Sequence, residues 1–168
     1  MSYNHQVFVF GHVGIGRAIV GPLRRTLPVV PFIAGALLPD LVDKSLYYAH
    51  FSDFISCTRT FGHTGLFLAG IALVAWARGS WTIAAVAVGV ATHHALDASM
   101  DMLSRLPSSE VIAFTWPFAH RHFASYHFSS PIDQLSQIWK PRIMITEAIG
   151  LLLLAREFLK WRSRPAAR

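Results

Sequence analysis

A histidine and an aspartate one helical turn apart form the clearest chemical signal in the chain. His93 and Asp97 lie in the apolar segment GVATHHALD, which begins at Gly89. A helix places residues four apart on one face, where an imidazole and a carboxylate can bind the same divalent ion. Ionisable groups in an apolar helix are costly and usually functional. The pattern therefore favours a pair of metal ligands over a buried hydrogen bond that only stabilises the fold.

Two neighbours of this pair carry further polar groups. Asp101 lies one more turn along the same face. His94 points about 100° away from His93 on a helix. It fits a group that supports the ligands, an alternative ligand or a helix-packing residue, and we include it among the candidate catalytic residues.

Two more candidate ligands come from earlier apolar segments. Asp40 follows Pro39, which should bend or end a helix and can turn the carboxylate inward. Taken alone, Asp40 fits a solvated interfacial turn better. His12 lies in the apolar run FGHVGIG and is either a ligand or a core histidine whose ring is hydrogen-bonded. The glycines of that run do not form a phosphate-binding fingerprint.

The segment RTFGHTG supplies one more ligand and a cation. His63 stands at the start of an apolar stretch, where Gly62 and Gly65 leave room around it. The alternative for His63 is a capping or interfacial histidine. Arg59 can bind a phosphate or carboxylate of a substrate, or it can anchor the chain at the headgroup level.

An aromatic segment further along the chain, WPFAHRHFASYHF from Trp116, carries His120, His122 and His127. Its aromatic residues suit a membrane interface. The pattern favours an interfacial loop, with an extension of the site or headgroup binding as the alternative.

The composition places these residues in a membrane protein. The chain has 168 residues, of which 53% are hydrophobic and 14% charged, whereas a typical soluble domain carries about 25% charged residues. We expect a single domain over residues 1–168, an all-α, compact polytopic membrane bundle of about four to five short helices. A soluble all-α fold is the alternative. The apolar stretches are about Gln6–Gly21, Val29–Leu41, Phe61–Ala77, Trp81–Leu96 and Ile143–Trp161.

The basic residues predict the orientation. Arg24, Arg25 and Arg78 lie between stretches, and further Arg and Lys residues crowd the C-terminus. The positive-inside rule makes that side and the C-terminus cytoplasmic. The candidate site then lies near the extracytoplasmic face. The net charge of +6 is explained by topology, so we expect no nucleic-acid partner. The first ten residues lack the features of a cleavable signal peptide.

Taken in order, these segments resemble the family of predicted membrane-bound metal-dependent hydrolases, which includes a LexA-regulated inner-membrane protein. The matching pieces are Gly11-His12, Leu38-Pro39-Asp40, Arg59-x-Phe61-x-His63-Thr64, Gly89-x-x-x-His93-x-x-x-Asp97 and Trp116-Pro117. The family usually places its second aspartate two residues after the first, whereas Asp43 follows Asp40 by three. Asp43 is therefore not among the expected ligands.

The ligand order is also similar to that of zinc-dependent phospholipases C and P1-type nucleases. That resemblance implies one metal with four ligands, namely Asp40, His63, His93 and Asp97. Asp97 would bridge to a second metal that also takes His12. Zinc fits the mixture of imidazole and carboxylate best, with manganese or iron as alternatives.

The resemblance implies a hydrolase of a lipid ester or phosphoester at the bacterial inner membrane. Asp97 would orient the nucleophile, while Arg59 or one of the later histidines would steady the anionic group of an amphipathic substrate. Two alternatives stay open. One is a metal-binding or ion-handling protein without hydrolytic activity, although the apolar run Ala84–Val90 argues against conduction along that helix. The other is a structural protein whose His–Asp pairs tie helices together.

Overall fold

The computed structural model describes residues 7–51, 55, 57–103, 109–125 and 128–163. These residues form helices, turns and irregular segments without a strand, which confirms the all-α class. The α-helices are α1 (Gly16–Ile19), α2 (Val29–Leu46), α3 (Gly65–Arg78), α4 (Trp81–Leu103), α5 (Ser109–Thr115), α6 (Pro131–Ser136) and α7 (Pro141–Arg162). Short π or 3₁₀ turns occupy Gly11–Ile15, Gly21–Arg25, Tyr47–Phe51, Phe61–His63 and Gln137–Trp139. The helix count is thus higher than the predicted four to five.

Helices α2 and α4 pack backbone to backbone at two glycines. A Cβ at Gly35 would collide with the backbone of Val86, and one at Gly89 would collide with that of Phe32 and Ala36. Small residues allow such close approach between helices in lipid. The contact holds the helix that carries Asp40 and the helix that carries His93 and Asp97 at a fixed separation.

The N-terminal segment is fastened to α7. The Glu147 carboxylate accepts hydrogen bonds from the backbone N–H groups of Phe8, Phe10 and Gly11 at 2.9–3.0 Å. The first N–H groups of a helix have no partner within the helix, so Glu147 caps the helical segment that carries His12.

One helix among the described residues, α4, is long and apolar enough to cross a membrane. Helix α3 is apolar but has 14 residues, and only Ala75 in it is buried. Helix α7 has 22 residues but carries charged residues within it, such as Glu147 and Arg156. We expected several spanning stretches. By length and composition, α4 is the one described helix that qualifies.

Candidate metal centre

Three ligand atoms from two parts of the chain converge in the interior. His93 and Asp97 project from α4, and His63 ends the short turn before α3. The Nε2 atoms of His63 and His93 lie 3.1 Å apart, and Asp97 Oδ2 lies 3.6 and 3.7 Å from them. All three side chains are buried. A tetrahedral zinc ion with bonds of about 2.0–2.2 Å separates its ligands by roughly 3.3 Å, so the spacing fits a shared ion.

Hydrogen bonds on the far side of each ring fix which nitrogen faces the centre. His93 Nδ1 donates to the carbonyl oxygen of Ala36 at 2.8 Å, and His63 Nδ1 donates to Asp43 Oδ2 at 2.7 Å. Metal-binding histidines almost always donate their other N–H in this way. Both Nε2 atoms are thereby presented to the centre as ligands.

The surroundings of His63 favour a cation. Burial acts to lower the pKa of His63, but the negative charge of Glu110 and hydrogen bonds with Asp43 and Asp97 raise it to about 10. A divalent ion at Nε2 would replace a bound proton with a larger positive charge in the same field.

His12 and Asp40 form a second group of ligand atoms with His93. One ligand atom from each of these three residues lies within 4.8 Å of the others. The His12 ring stacks on His93 with centroids 3.8 Å apart, and His12 Nε2 lies 3.6 Å from Asp97 Oδ1. Neither ring nitrogen of His12 nor Asp97 Oδ1 has a hydrogen-bond partner, although these atoms are buried. Buried polar atoms without a partner are costly, and a second ion between His12 and Asp97 would satisfy them.

The four ligands that the resemblance assigns to one metal are not equally placed. Asp40 Oδ1 lies 3.9 Å from His63 Nε2, while Asp40 Oδ2 forms an ion pair with Lys44 at 2.6 Å. Asp40 therefore lies on the His12 side of the cluster. Its ion pair with Lys44 would compete with a metal ion for the carboxylate.

Arg59 holds the carboxylates that surround the centre. Its Nη2 atom lies 2.8 Å from Asp97 Oδ2, and its Nη1 atom donates to both oxygens of Asp101 at 3.0 Å. Ser109 Oγ accepts from the same Nη1 atom, and the Nε atom lies 3.9 Å from Glu110 Oε2. The guanidinium is fully buried. Arg59 thus positions Asp97, and its contact with a substrate anion stays a prediction.

The His94 ring lies beside those of His63 and His93, with centroids 5.8 and 6.0 Å away, and it pairs with Glu110, which the sequence did not single out. Its Nδ1 atom is hydrogen-bonded to Glu110 Oε1 on α5, and its Nε2 atom has no partner. Both side chains line a groove of about 300 Å³ between α3, α4 and α5, together with apolar side chains such as Leu68 and Phe114. The apolar residues after Glu110, in the segment SSEVIAF, were the available signal that its helix packs on the core.

Two of the later histidines, His120 and His122, are not part of the cluster. His120 and His122 are exposed in the segment after α5, and the interfacial position of that segment stays a prediction. His127, like Arg105, Arg164 and Arg168, lies outside the described residues.

The fold and the cluster define a class, a helical membrane protein with buried histidines and carboxylates gathered around one point. Residues 4–163 match the family model described as YdjM inner membrane protein. The chain therefore belongs to that family, which confirms the predicted inner-membrane location. The family description names a location and no activity. Searches of curated proteins and of solved structures found no match.

Proposed function

We propose that this protein is a membrane-bound, metal-dependent hydrolase that cleaves an ester or phosphoester of a lipid. One observation carries the proposal. The Nε2 atoms of His63 and His93 and a carboxylate oxygen of Asp97 converge within 4.8 Å of one another, and both imidazoles are oriented by acceptors behind them.

Different residues of the chain would bind the metal ions and position the ligands. His63, His93 and Asp97 would hold one divalent ion, and His12 with the second oxygen of Asp97 would hold another. A bound zinc ion lowers the pKa of water toward about 7 and polarises the oxygen of an ester or phosphoester. Arg59 fixes the position of Asp97 through the 2.8 Å contact with Oδ2.

The groove beside His94 supports a substrate with an apolar part. It is lined by apolar residues of three helices and by two buried polar side chains, His94 and Glu110. The His94 ring centroid lies 5.8 Å from that of His63. An alkyl chain in this groove would bring an attached ester close to the metal ligands, and His94 Nε2 could accept a hydrogen bond from the water that attacks the ester.

A specific contact favours a second candidate, a structural cluster that binds no ion. The pairing of Arg59 with Asp97 at 2.8 Å neutralises the carboxylate, and the two Nε2 atoms at 3.1 Å can share one proton. In that case the cluster ties α2, α4 and the turn before α3 together.

Metal content distinguishes the two candidates. We expect near-stoichiometric zinc or manganese by mass spectrometry in protein purified in detergent, and loss of that metal in His93→Ala and Asp97→Asn. His120→Ala is the matched control, because this histidine is exposed and outside the cluster. Circular dichroism and gel filtration establish that each variant is folded.

A metal-free wild type that takes up no divalent ion on incubation contradicts the hydrolase and supports the structural tie. Metal in the wild type justifies assays with phospholipids and phosphodiesters. Hydrolysis by the wild type that is absent in Asp97→Asn would then establish the activity.

A further inference from the structure

A second cavity, with a basic lining, lies at the end of the bundle that contains α1 and the C-terminal half of α7. Its volume is about 290 Å³, and it lies between α1, the turn that precedes α2, the start of α2 and the last half of α7. The charged side chains that line it are Arg17, Arg25, Arg156, Glu157 and Lys160. It shares no residue with the His–Asp cluster.

The floor and the rim of this cavity differ. At the floor, Arg17 is 3% exposed and forms an ion pair with Glu157 at 2.6 Å. At the rim, Arg25, Arg156 and Lys160 are exposed. Four cationic groups face one carboxylate, a net charge of +3 within one small cavity. Because these like charges repel one another, an anion at the rim would stabilise the arrangement.

Tryptophans place the cavity at the level of the headgroups. Trp81 begins α4 and its indole N–H donates to the carbonyl oxygen of Thr26 at 2.8 Å, directly beside Arg25. Trp81 is 51% exposed, and Trp76 near the end of α3 is 81% exposed. Tryptophan is enriched at the membrane–water interface, so the rim of the cavity faces the layer that contains lipid phosphates.

The apolar part of the lining indicates a lipid as the source of the anion. Leu27, Val29 and Leu153 line the same cavity, and Leu152 beside Leu153 on α7 is 69% exposed. A free phosphate would leave these apolar side chains uncovered, whereas the glycerol and the upper acyl chain of a lipid would pack against them. Basic pockets at the membrane surface bind anionic headgroups in this way.

We infer that this cavity binds the phosphate of an anionic phospholipid headgroup. The phosphate lies at the rim between Arg25, Arg156 and Lys160, and the pair of Arg17 and Glu157 closes the floor. The site is separate from the metal centre, so its occupation does not depend on the proposed hydrolysis.

The test compares lipids of different charge. Protein in detergent is titrated with phosphatidylglycerol, phosphatidylcholine or inorganic phosphate, and the unfolding temperature is followed by the fluorescence of its five tryptophans. Phosphatidylglycerol should raise the unfolding temperature more than phosphatidylcholine does. The double variant Arg156→Gln and Lys160→Gln should bind phosphatidylglycerol about thirtyfold more weakly.

Arg78→Gln is the matched control, since Arg78 is exposed and lies outside the cavity. The rim side chains are themselves exposed, so their replacement should leave the fold intact. Equal stabilisation by the two lipids would overturn the inference, as would an equal loss in Arg78→Gln. Stabilisation by inorganic phosphate without a preference between the lipids would overturn the lipid as the ligand.

Discussion

Asp43 accepts three hydrogen bonds from the segment that carries His63. Its Oδ2 atom accepts from the backbone N–H of Thr60 at 2.6 Å and from His63 Nδ1 at 2.7 Å, and its Oδ1 atom accepts from the N–H of Gly62 at 2.8 Å. The side chain is fully buried. A single carboxylate on α2 thus fixes both the turn and the ring orientation of His63.

Replacing Asp43 with Asn should weaken metal binding about 10- to 100-fold. Either orientation of the amide places an N–H₂ group against at least one of the donors that Asp43 now accepts from, and the loss of charge weakens the hold on His63. Zinc affinity by competition with a chelator measures the effect. Asp133→Asn is the control. Asp133 also accepts a backbone hydrogen bond, from Ser129, but it lies in α6 and is not part of the His–Asp cluster. An unchanged zinc affinity in the folded Asp43→Asn variant would contradict this role.

Part of the cluster could be predicted from the residues because its signals are local or compositional. The four-residue spacing of His93 and Asp97 becomes a shared helix face, and an imidazole in an apolar run, as at His12, indicates a buried group. The role of Asp43 and the pairing of Glu110 with His94 were not predictable in this way. They depend on hydrogen bonds between residues that are 20 and 16 positions apart in the sequence. No local sequence pattern predicts which partner a buried carboxylate will contact.

At the scale of helices, the apolar stretches coincide well with the long elements. The predicted 81–96 and 143–161 segments lie within α4 and α7, and the predicted 29–41 segment lies within α2. The first stretch instead breaks into a π-turn and a one-turn helix, Gly11–Ile15 and Gly16–Ile19. Helices α5 and α6 have seven and six residues, and such short helices give no periodicity that a sequence can reveal.

The contact between the N-terminal segment and α7 depends on two glycines. A Cβ at Gly150 would collide with the backbone of Phe10 and Gly11, and one at Gly14 would collide with that of Gly150. Gly150→Ala should therefore lower the free energy of unfolding by about 1–3 kcal/mol, as overpacking does. Thermal unfolding followed by circular dichroism in detergent measures the change.

Gly70→Ala is the matched control on α3, where an added Cβ meets nothing within 4 Å. Alanine is favoured over glycine in a helix by about 1 kcal/mol, so this variant should be unchanged or slightly more stable. Equal unfolding temperatures for Gly150→Ala and the wild type would show that α7 can shift away, and that the close contact is not required.

For the whole molecule, the contacts at the two ends of α7 indicate that it runs antiparallel to α4. Near its start, Arg142 donates to the carbonyl oxygen of Leu103, the last residue of α4. Near its end, Glu157 pairs with Arg17 and lines the cavity that also contains Arg25. With 22 and 23 residues, the two helices are about 33 and 35 Å long, enough to traverse a hydrocarbon layer of about 30 Å. Helix α7 thus has about the same length as α4 and runs in the opposite direction, although α4 alone among the described helices is also apolar enough to span.

This arrangement turns the charge bias into a prediction of orientation. Arg25, Arg78 and the basic end of α7 lie at the Trp81 end of α4, so the positive-inside rule places that end in the cytoplasm. A fluorescent protein fused to the C-terminus should fluoresce, and alkaline phosphatase fused there should be inactive. Phosphatase fused after Ala119, beyond the other end of α4, should be active because that segment would lie in the periplasm. Active phosphatase at the C-terminus together with inactive enzyme after Ala119 would reverse the orientation and place the His–Asp cluster in the cytoplasmic half of the membrane.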